Sequence, residues 1–212
     1  MREWCAELAA LLDAEGCGRA VVGGHCLGAN IALHFAARHP GRTAGLVLIE
    51  PMPPEALVGT MRHIASLRNF LLLFVKPVLW LNWMGIHRRR VAPMNLEEWD
   101  RAAASGELPL SRFASPLLDL RSTPTAAYLQ GLAAVGEPLP ALGEIRCPAL
   151  VLMSKRSTMT DAAATRSIMR AMPQAEIVDI DARHWIPTEQ PDAMRAAIEA
   201  WLASRKDPER AA

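Results

Sequence analysis

Lysine is nearly absent from this chain, with 3 Lys against 20 Arg in 212 residues. Codon bias is enough to explain that choice between two cations, and it excludes no function. An excess of either charge is also missing. With 23 basic and 22 acidic residues the net charge is +1, so no overall field favours a nucleic acid partner. Cysteine is sparse: Cys5, Cys17, Cys26 and Cys147 show neither a CxxC pair nor metal-ligand spacing. No secretory leader precedes them, and a reducing cytoplasm is the expected location. A glycine-rich phosphate loop, a dinucleotide fingerprint and a His/Cys/acid cluster are all lacking, so neither a cofactor nor a metal is expected. Internal repeats are absent too. What remains is a chain that is 51% hydrophobic and long enough to bury one sizeable core.

The pentapeptide Gly24-His25-Cys26-Leu27-Gly28 is the most informative feature present. It stands between an apolar strand pattern at residues 20–23 and a helical pattern at residues 29–39. A small-x-nucleophile-x-small sequence in that context fits a nucleophile elbow, in which a sharp strand-to-helix turn projects one side chain. Glycine two residues before and two after the nucleophile lets the three backbone segments approach each other. The helix that follows aims its N-terminus at Cys26, and its unpaired N–H groups and dipole favour a thiolate there. The plainer reading is a tight βα turn with a small buried cysteine.

Elsewhere the pattern alternates strand and helix. Trp4, Leu8, Leu11 and Leu12 predict an amphipathic helix over residues 2–14. Continuous apolar runs at residues 46–49 and 149–153 predict parallel strands covered on both faces. A helix over 161–172, a strand over 176–180 and a closing helix over 191–204, opened by Pro191, complete the series. Such alternation implies a parallel sheet.

In the elbow segment GGHCLGANIALHFAARHP, the strand GLVLIEP, the late strand IRCPALVLMS and the segment DIDARHWIPTEQPDAMRAAIEAWL, the chain resembles the α/β-hydrolase superfamily. The resemblance runs from about Met1 to Arg205, and its specific parts are the elbow and the late histidine segment. It implies an α/β fold: a partial α/β-hydrolase fold with a mostly parallel sheet of about four strands, flanked by helices and carrying a helical lid insertion. The expected divisions are a first core part at 1–51, a lid at 52–143, a second core part at 144–205 and a disordered tail at 206–212. Members with cysteine at the elbow run acyl chemistry through a thiol.

A thiol nucleophile needs a base, and of six histidines His184 stands where the superfamily puts its own, in a loop between a strand and the final helix. His25, its neighbour in sequence to Cys26, is a candidate substrate contact, as is Trp185. The acid that orients the imidazole is open. Many relatives carry an Asp just after the strand at 149–153, but the sequence near Ser157 has none. Glu50, at the end of the strand after the elbow helix, is one candidate. Asp161 is the other, although an acid in a first helical turn is also explained by the helix dipole. The backbone N–H of Leu27 is the expected oxyanion donor.

These residues predict hydrolysis of an ester, thioester or lactone through a covalent acyl-enzyme. Acyl transfer by the same cysteine and a non-catalytic binding role are the alternatives. The apolar stretch at 70–86 is short for a span and interrupted by Lys76, Pro77 and Asn82, so stable membrane insertion is not expected. It reads as a pair of lid helices broken near Pro77, with Trp80, Trp83 and Met84 lining a pocket for a substrate with a hydrophobic portion, and Arg88, Arg89 and Arg90 as a solvated charge run. Relatives place several dozen residues of sheet before the elbow, whereas here the elbow cysteine is residue 26. The resemblance therefore implies that about four strands and a second oxyanion donor are missing here, through either a wrongly assigned start at Met1 or a truncated fragment. The strand with Val21 and Val22 is expected at an open sheet edge.

Overall fold

The computed structural model describes residues 1–84 and 123–205. Arg88, Arg89 and Arg90, the centre of the expected lid and the expected tail at 206–212 lie outside the described residues. Two compact units divide the chain: one holds Met1–Ser66 with Ala134–Ala212, the other Leu67–Ala133.

The first unit is built on four parallel strands in the order β1-β2-β3-β4, with β1 at Ala20–His25, β2 at Thr43–Ile49, β3 at Ala149–Ser154 and β4 at Ala175–Ile180. β1 is an edge of this sheet, and Val21 on it is 43% exposed. β3 is buried along its whole length, which is why its sequence reads as an unbroken apolar run and not as an alternation. One face of the sheet, through Val22, Leu46, Leu48, Val151 and Met153, packs on helix α1 (Arg2–Ala14) and helix α2 (Leu27–Arg38). Its other face, through Val47, Leu150, Leu152 and Ile180, packs on Trp201 of the closing helix. Each fully buried side chain in these layers contributes roughly 1.5–3 kcal/mol relative to exposure.

On α1 the inward stripe is Cys5, Leu8, Ala9 and Leu12. Leu11, expected on that stripe, is 55% exposed, because the helix has already rotated it about 100° from Leu12.

The second unit contains helix α4 (Arg68–Trp83), which follows helix α3 (Gly59–Ser66), and helix α5 (Thr125–Val135) begins within it. The expected break at Pro77 does not occur: α4 runs through it. A proline forfeits the bond to the carbonyl four residues back, here that of Leu73. Leu73 is 67% exposed, on the side of the helix where a carbonyl without its partner is least costly. Among the described residues no single helix is long and apolar enough to cross a membrane.

Candidate active site

Three strand ends converge at the carboxyl edge of the sheet, where open α/β sheets present their ligand sites. The register pairs His25 of β1 with Ile49 of β2 and Ile49 with Leu152 of β3. The next residue on β1 is therefore beside the next on β2, and these are Cys26 and Glu50. Cys26 N–H donates to the Ile49 carbonyl at 2.9 Å, and Glu50 N–H to that of Leu152 at 2.8 Å.

Cys26 is the N-cap of α2 and has φ 58° and ψ −121°. A non-glycine residue with positive φ is strained by roughly 1–3 kcal/mol and needs surrounding structure to hold it. Gly24 is part of that structure: a Cβ on it would come within 2.3 Å of the Gly28 backbone. The expectation for Gly28 is not met in the same way, since a Cβ there would meet nothing within 4 Å. The tight approach is made by the Gly28 backbone, and its missing side chain would point away from the turn. Helix α2 begins at Leu27, earlier than the apolar pattern implied, so the Leu27 N–H is in the first turn beside the thiol.

Glu50 is the second strained residue, with φ 47°. Its side chain is 4% exposed and fully engaged. One oxygen accepts the Ser154 N–H in a very short hydrogen bond; the other accepts the Ser157 hydroxyl at 2.9 Å and faces His184 Nδ1 at 3.3 Å. A buried carboxylate is costly unless paired and hydrogen-bonded, and all three partners meet that need. Ser157, near the position where an acid was sought, thus holds the acid that β2 supplies. Asp161 has the other fate: it is exposed and caps helix α6 (Ala162–Met169), accepting Ala164 N–H at 2.7 Å.

His184 follows β4 in an irregular segment before the short helix α7 (Ile186–Glu189) and the closing helix α8 (Pro191–Ser204), and only 2% of its side chain is exposed. Its Nδ1 meets Glu50. Its Nε2 is buried without a hydrogen bond of ordinary geometry, yet the Cys26 thiol is near enough to act on the ring. Burial alone would lower this imidazole, but hydrogen bonding and charge from Cys26 and Glu50 override it and push the pKa up to about 9.

That shift has a consequence for stability. A group whose folded pKa is raised stabilises the fold fully below its unfolded value near 6.5, and the contribution disappears as pH climbs toward 9. Urea melts are expected to lose about 3 kcal/mol between pH 6.5 and 9, and the His184→Gln variant to lack that fall. A wild-type profile parallel to that of the variant would show that His184 does not titrate as stated.

Two residues in the site were not foreseen. Asn30 is completely buried on α2 and clamps the backbone of Met52, donating to its carbonyl at 2.7 Å and accepting its N–H at 3.1 Å. Met52 Sδ in turn is 2.8 Å from Cys26 Sγ. The only sequence signal was a polar residue on the apolar face of the elbow helix. Around the thiol, Met52, Leu57 and Val135 form a buried apolar cluster with Met61, Ala65 and Met159 packed against it.

His25 donates through Nε2 to the His184 carbonyl at 2.9 Å, and Trp185 packs tilted to His25 at 5.4 Å and edge-on to His184 at 5.3 Å. Trp80 and Trp83 belong to α4 in the second unit, 58% and 82% exposed. Among the described residues no group of three or more His, Cys, Asp or Glu is arranged to hold a metal ion.

Comparison with known proteins agrees with this architecture. A 44-residue stretch is 52% identical to Lipase LipV of Mycobacterium tuberculosis, spanning 21% of this chain and only 17% of that protein. Among solved structures, a thermophilic esterase from Thermogutta terrifontis superposes with a TM-score of 0.63 at 22% identity, over 94% of this chain and 71% of the esterase. The enol-lactonase from Burkholderia xenovorans LB400 gives 0.62 at 20% identity, over 94% and 71%. At such identities these two likenesses establish the fold alone. The sequence profile of the alpha/beta hydrolase family matches residues 2–197, and the chain belongs to that family.

Proposed function

We propose that this protein is a hydrolase of ester, thioester or lactone bonds in which Cys26 is the nucleophile, His184 the base and Glu50 the orienting acid. The observation that carries the reading is the strained backbone at Cys26, held beside an imidazole whose other nitrogen faces a buried, fully hydrogen-bonded carboxylate. Strain of that kind persists where function requires a side chain to project.

In the proposed cycle the Cys26 proton rests on His184 as an imidazolium, and the thiolate attacks the acyl carbonyl. The Leu27 N–H donates to the oxyanion that forms. Collapse of this intermediate breaks the bond to the leaving group, which receives the proton from the imidazolium, and a thioester to Cys26 remains. His184 then deprotonates water, the resulting hydroxide attacks the thioester, and the acid departs as the thiolate re-forms. Glu50 keeps Nδ1 protonated and balances the imidazolium. The apolar cluster around the thiol favours a substrate with a hydrophobic acyl portion.

Brief exposure to p-nitrophenyl butyrate, followed by acid quench and peptide mass spectrometry, tests the reading. A butyryl adduct on the peptide containing Cys26, formed with a burst of nitrophenolate, is the expected result. Nitrophenolate release with every Cys26 peptide unmodified would overturn the covalent route. Adding an alcohol or a thiol as acceptor separates hydrolysis from acyl transfer, because only a transferase diverts most of the butyryl group to it.

A further inference from the structure

His25 occupies the one position of the elbow that is covalently next to the thiol and in contact with the base. It is the last residue of β1, and its Nε2 is 2.9 Å from the His184 carbonyl. A carbonyl accepts, so Nε2 carries the proton. The two imidazole rings are 4.9 Å apart with their planes tilted by 43°, and the Trp185 indole is packed on both.

His184 needs such a contact more than Cys26 or Glu50 does. Those two are the first residues beyond β1 and β2 and inherit their positions from the sheet register. His184 is several residues beyond β4, in a segment with no ladder partners of its own. Its segment is tied to the loop after β3 by one main-chain bond, Arg156 N–H to the Ala182 carbonyl at 3.1 Å, and then held by side chains: Glu189 accepts the N–H groups of Arg183 and Trp185 at 3.0 and 3.1 Å, and His25 takes the carbonyl between them. Glu189 ties the loop to its own following helix. The His25 contact ties it to the elbow.

We propose that His25 is a positioning residue that sets the separation of the His184 ring from the Cys26 thiol, by donating its Nε2 proton to the His184 carbonyl and packing on the His184 and Trp185 rings. The proposal rests on the reading of Cys26 and His184 as nucleophile and base. It also turns His25 away from the substrate contact that the sequence suggested, since the nitrogen best placed to donate is already engaged. The titratable groups acting on His25 are His184 and Glu50; burial, foremost, with the neighbouring His184 lowers its pKa against the opposing effects of that carbonyl and Glu50, and the neutral ring that results suits a donor facing an imidazolium. A displacement of about 1 Å between reacting groups can cost on the order of 10²-fold in rate.

The test compares His25→Phe, which keeps a stacking ring without a donor, with His25→Gln, which keeps an N–H donor without the ring. For p-nitrophenyl butyrate, His25→Phe is expected to lose about 10- to 100-fold in kcat with KM within twofold, and His25→Gln to recover part of the loss. A rise in KM at unchanged kcat would return His25 to the substrate, and wild-type values for both constants would leave it without the assigned role; either overturns the proposal. The His184 imidazole, followed by NMR titration with labelled histidine, separates this outcome from the parent reading. If Cys26 proves not to be the nucleophile, the His184 signals must still move in His25→Phe; unmoved signals mean that no tether exists.

Discussion

Cys26→Ala is expected to lower kcat/KM for an activated ester by at least about 10⁴-fold and to leave no acyl adduct. The fold is expected to be unaffected, because alanine keeps the backbone atoms that make the Ile49 contact and Cys26 is only half-buried at the turn. Melting temperatures compared at pH 9, where the raised His184 pKa stabilises the parent least, are the control. Cys26→Ser is the sharper experiment. A hydroxyl is far less acidic than a thiol, so attack by serine depends on proton removal by the base in the same step. Nε2 of His184 makes no aligned hydrogen bond in the resting site, and the imidazole is pushed up to about 9 through the Cys26 and Glu50 contacts that outweigh its burial. In the parent at neutral pH it is therefore mostly an imidazolium, the partner of a thiolate, and a serine hydroxyl supplies no such charge. Serine is expected to reduce kcat by about 10²-fold or more, and the His184 pKa to fall below that of the parent because the Cys26 contribution that raised it is gone. Full activity in Cys26→Ala would eliminate the nucleophile. Full activity in Cys26→Ser would show that the attack does not depend on a thiol.

What the sequence could reveal depended on how far the relevant interaction reached along the chain. The elbow is local: Gly24, Cys26 and the start of α2 lie within one turn, and the collision awaiting a Cβ at Gly24 is the same constraint that the motif expresses. The sheet was equally legible, because a strand covered on both faces must be apolar at successive positions, as β2 and β3 are. Glu50 was readable as a strand-end acid, but its environment was not. Its partners are a backbone N–H and a serine hydroxyl more than a hundred residues away, and a main-chain donor leaves no mark in the composition. Asn30 was hidden for a related reason, since it binds the Met52 backbone and not a complementary side chain. Pro77 misled in the opposite direction. The residue type predicts a break, whereas the helix continues with Leu73 on its exposed side, where a carbonyl without its partner is least costly.

The choice between the two acids leads to the second large effect. Glu50→Gln keeps the shape of the side chain and removes its charge, so the Ser157 hydroxyl and the Ser154 N–H retain an acceptor only if the amide turns its oxygen toward them. With the oxygen on the Ser154 N–H, the NH₂ end can donate to the Ser157 hydroxyl but forces His184 Nδ1 to give up its proton, the wrong tautomer for the base; with the amide reversed, it opposes the Ser154 N–H. The His184 imidazolium also loses its counter-charge while staying buried. Breaking a buried pair by neutralising one partner costs roughly 3–5 kcal/mol, and loss of the orienting acid costs on the order of 10²–10⁴-fold in kcat. Glu50→Gln is expected to show both losses together, with the His184 pKa falling because burial is no longer opposed by Glu50. Asp161→Ala removes only a helix cap, and about 0.5–2 kcal/mol of stability with unchanged kcat is the expected result. Measuring kcat and urea stability for the two variants side by side decides between them: a normal kcat in Glu50→Gln together with a collapsed one in Asp161→Ala would transfer the acid from β2 to the start of α6.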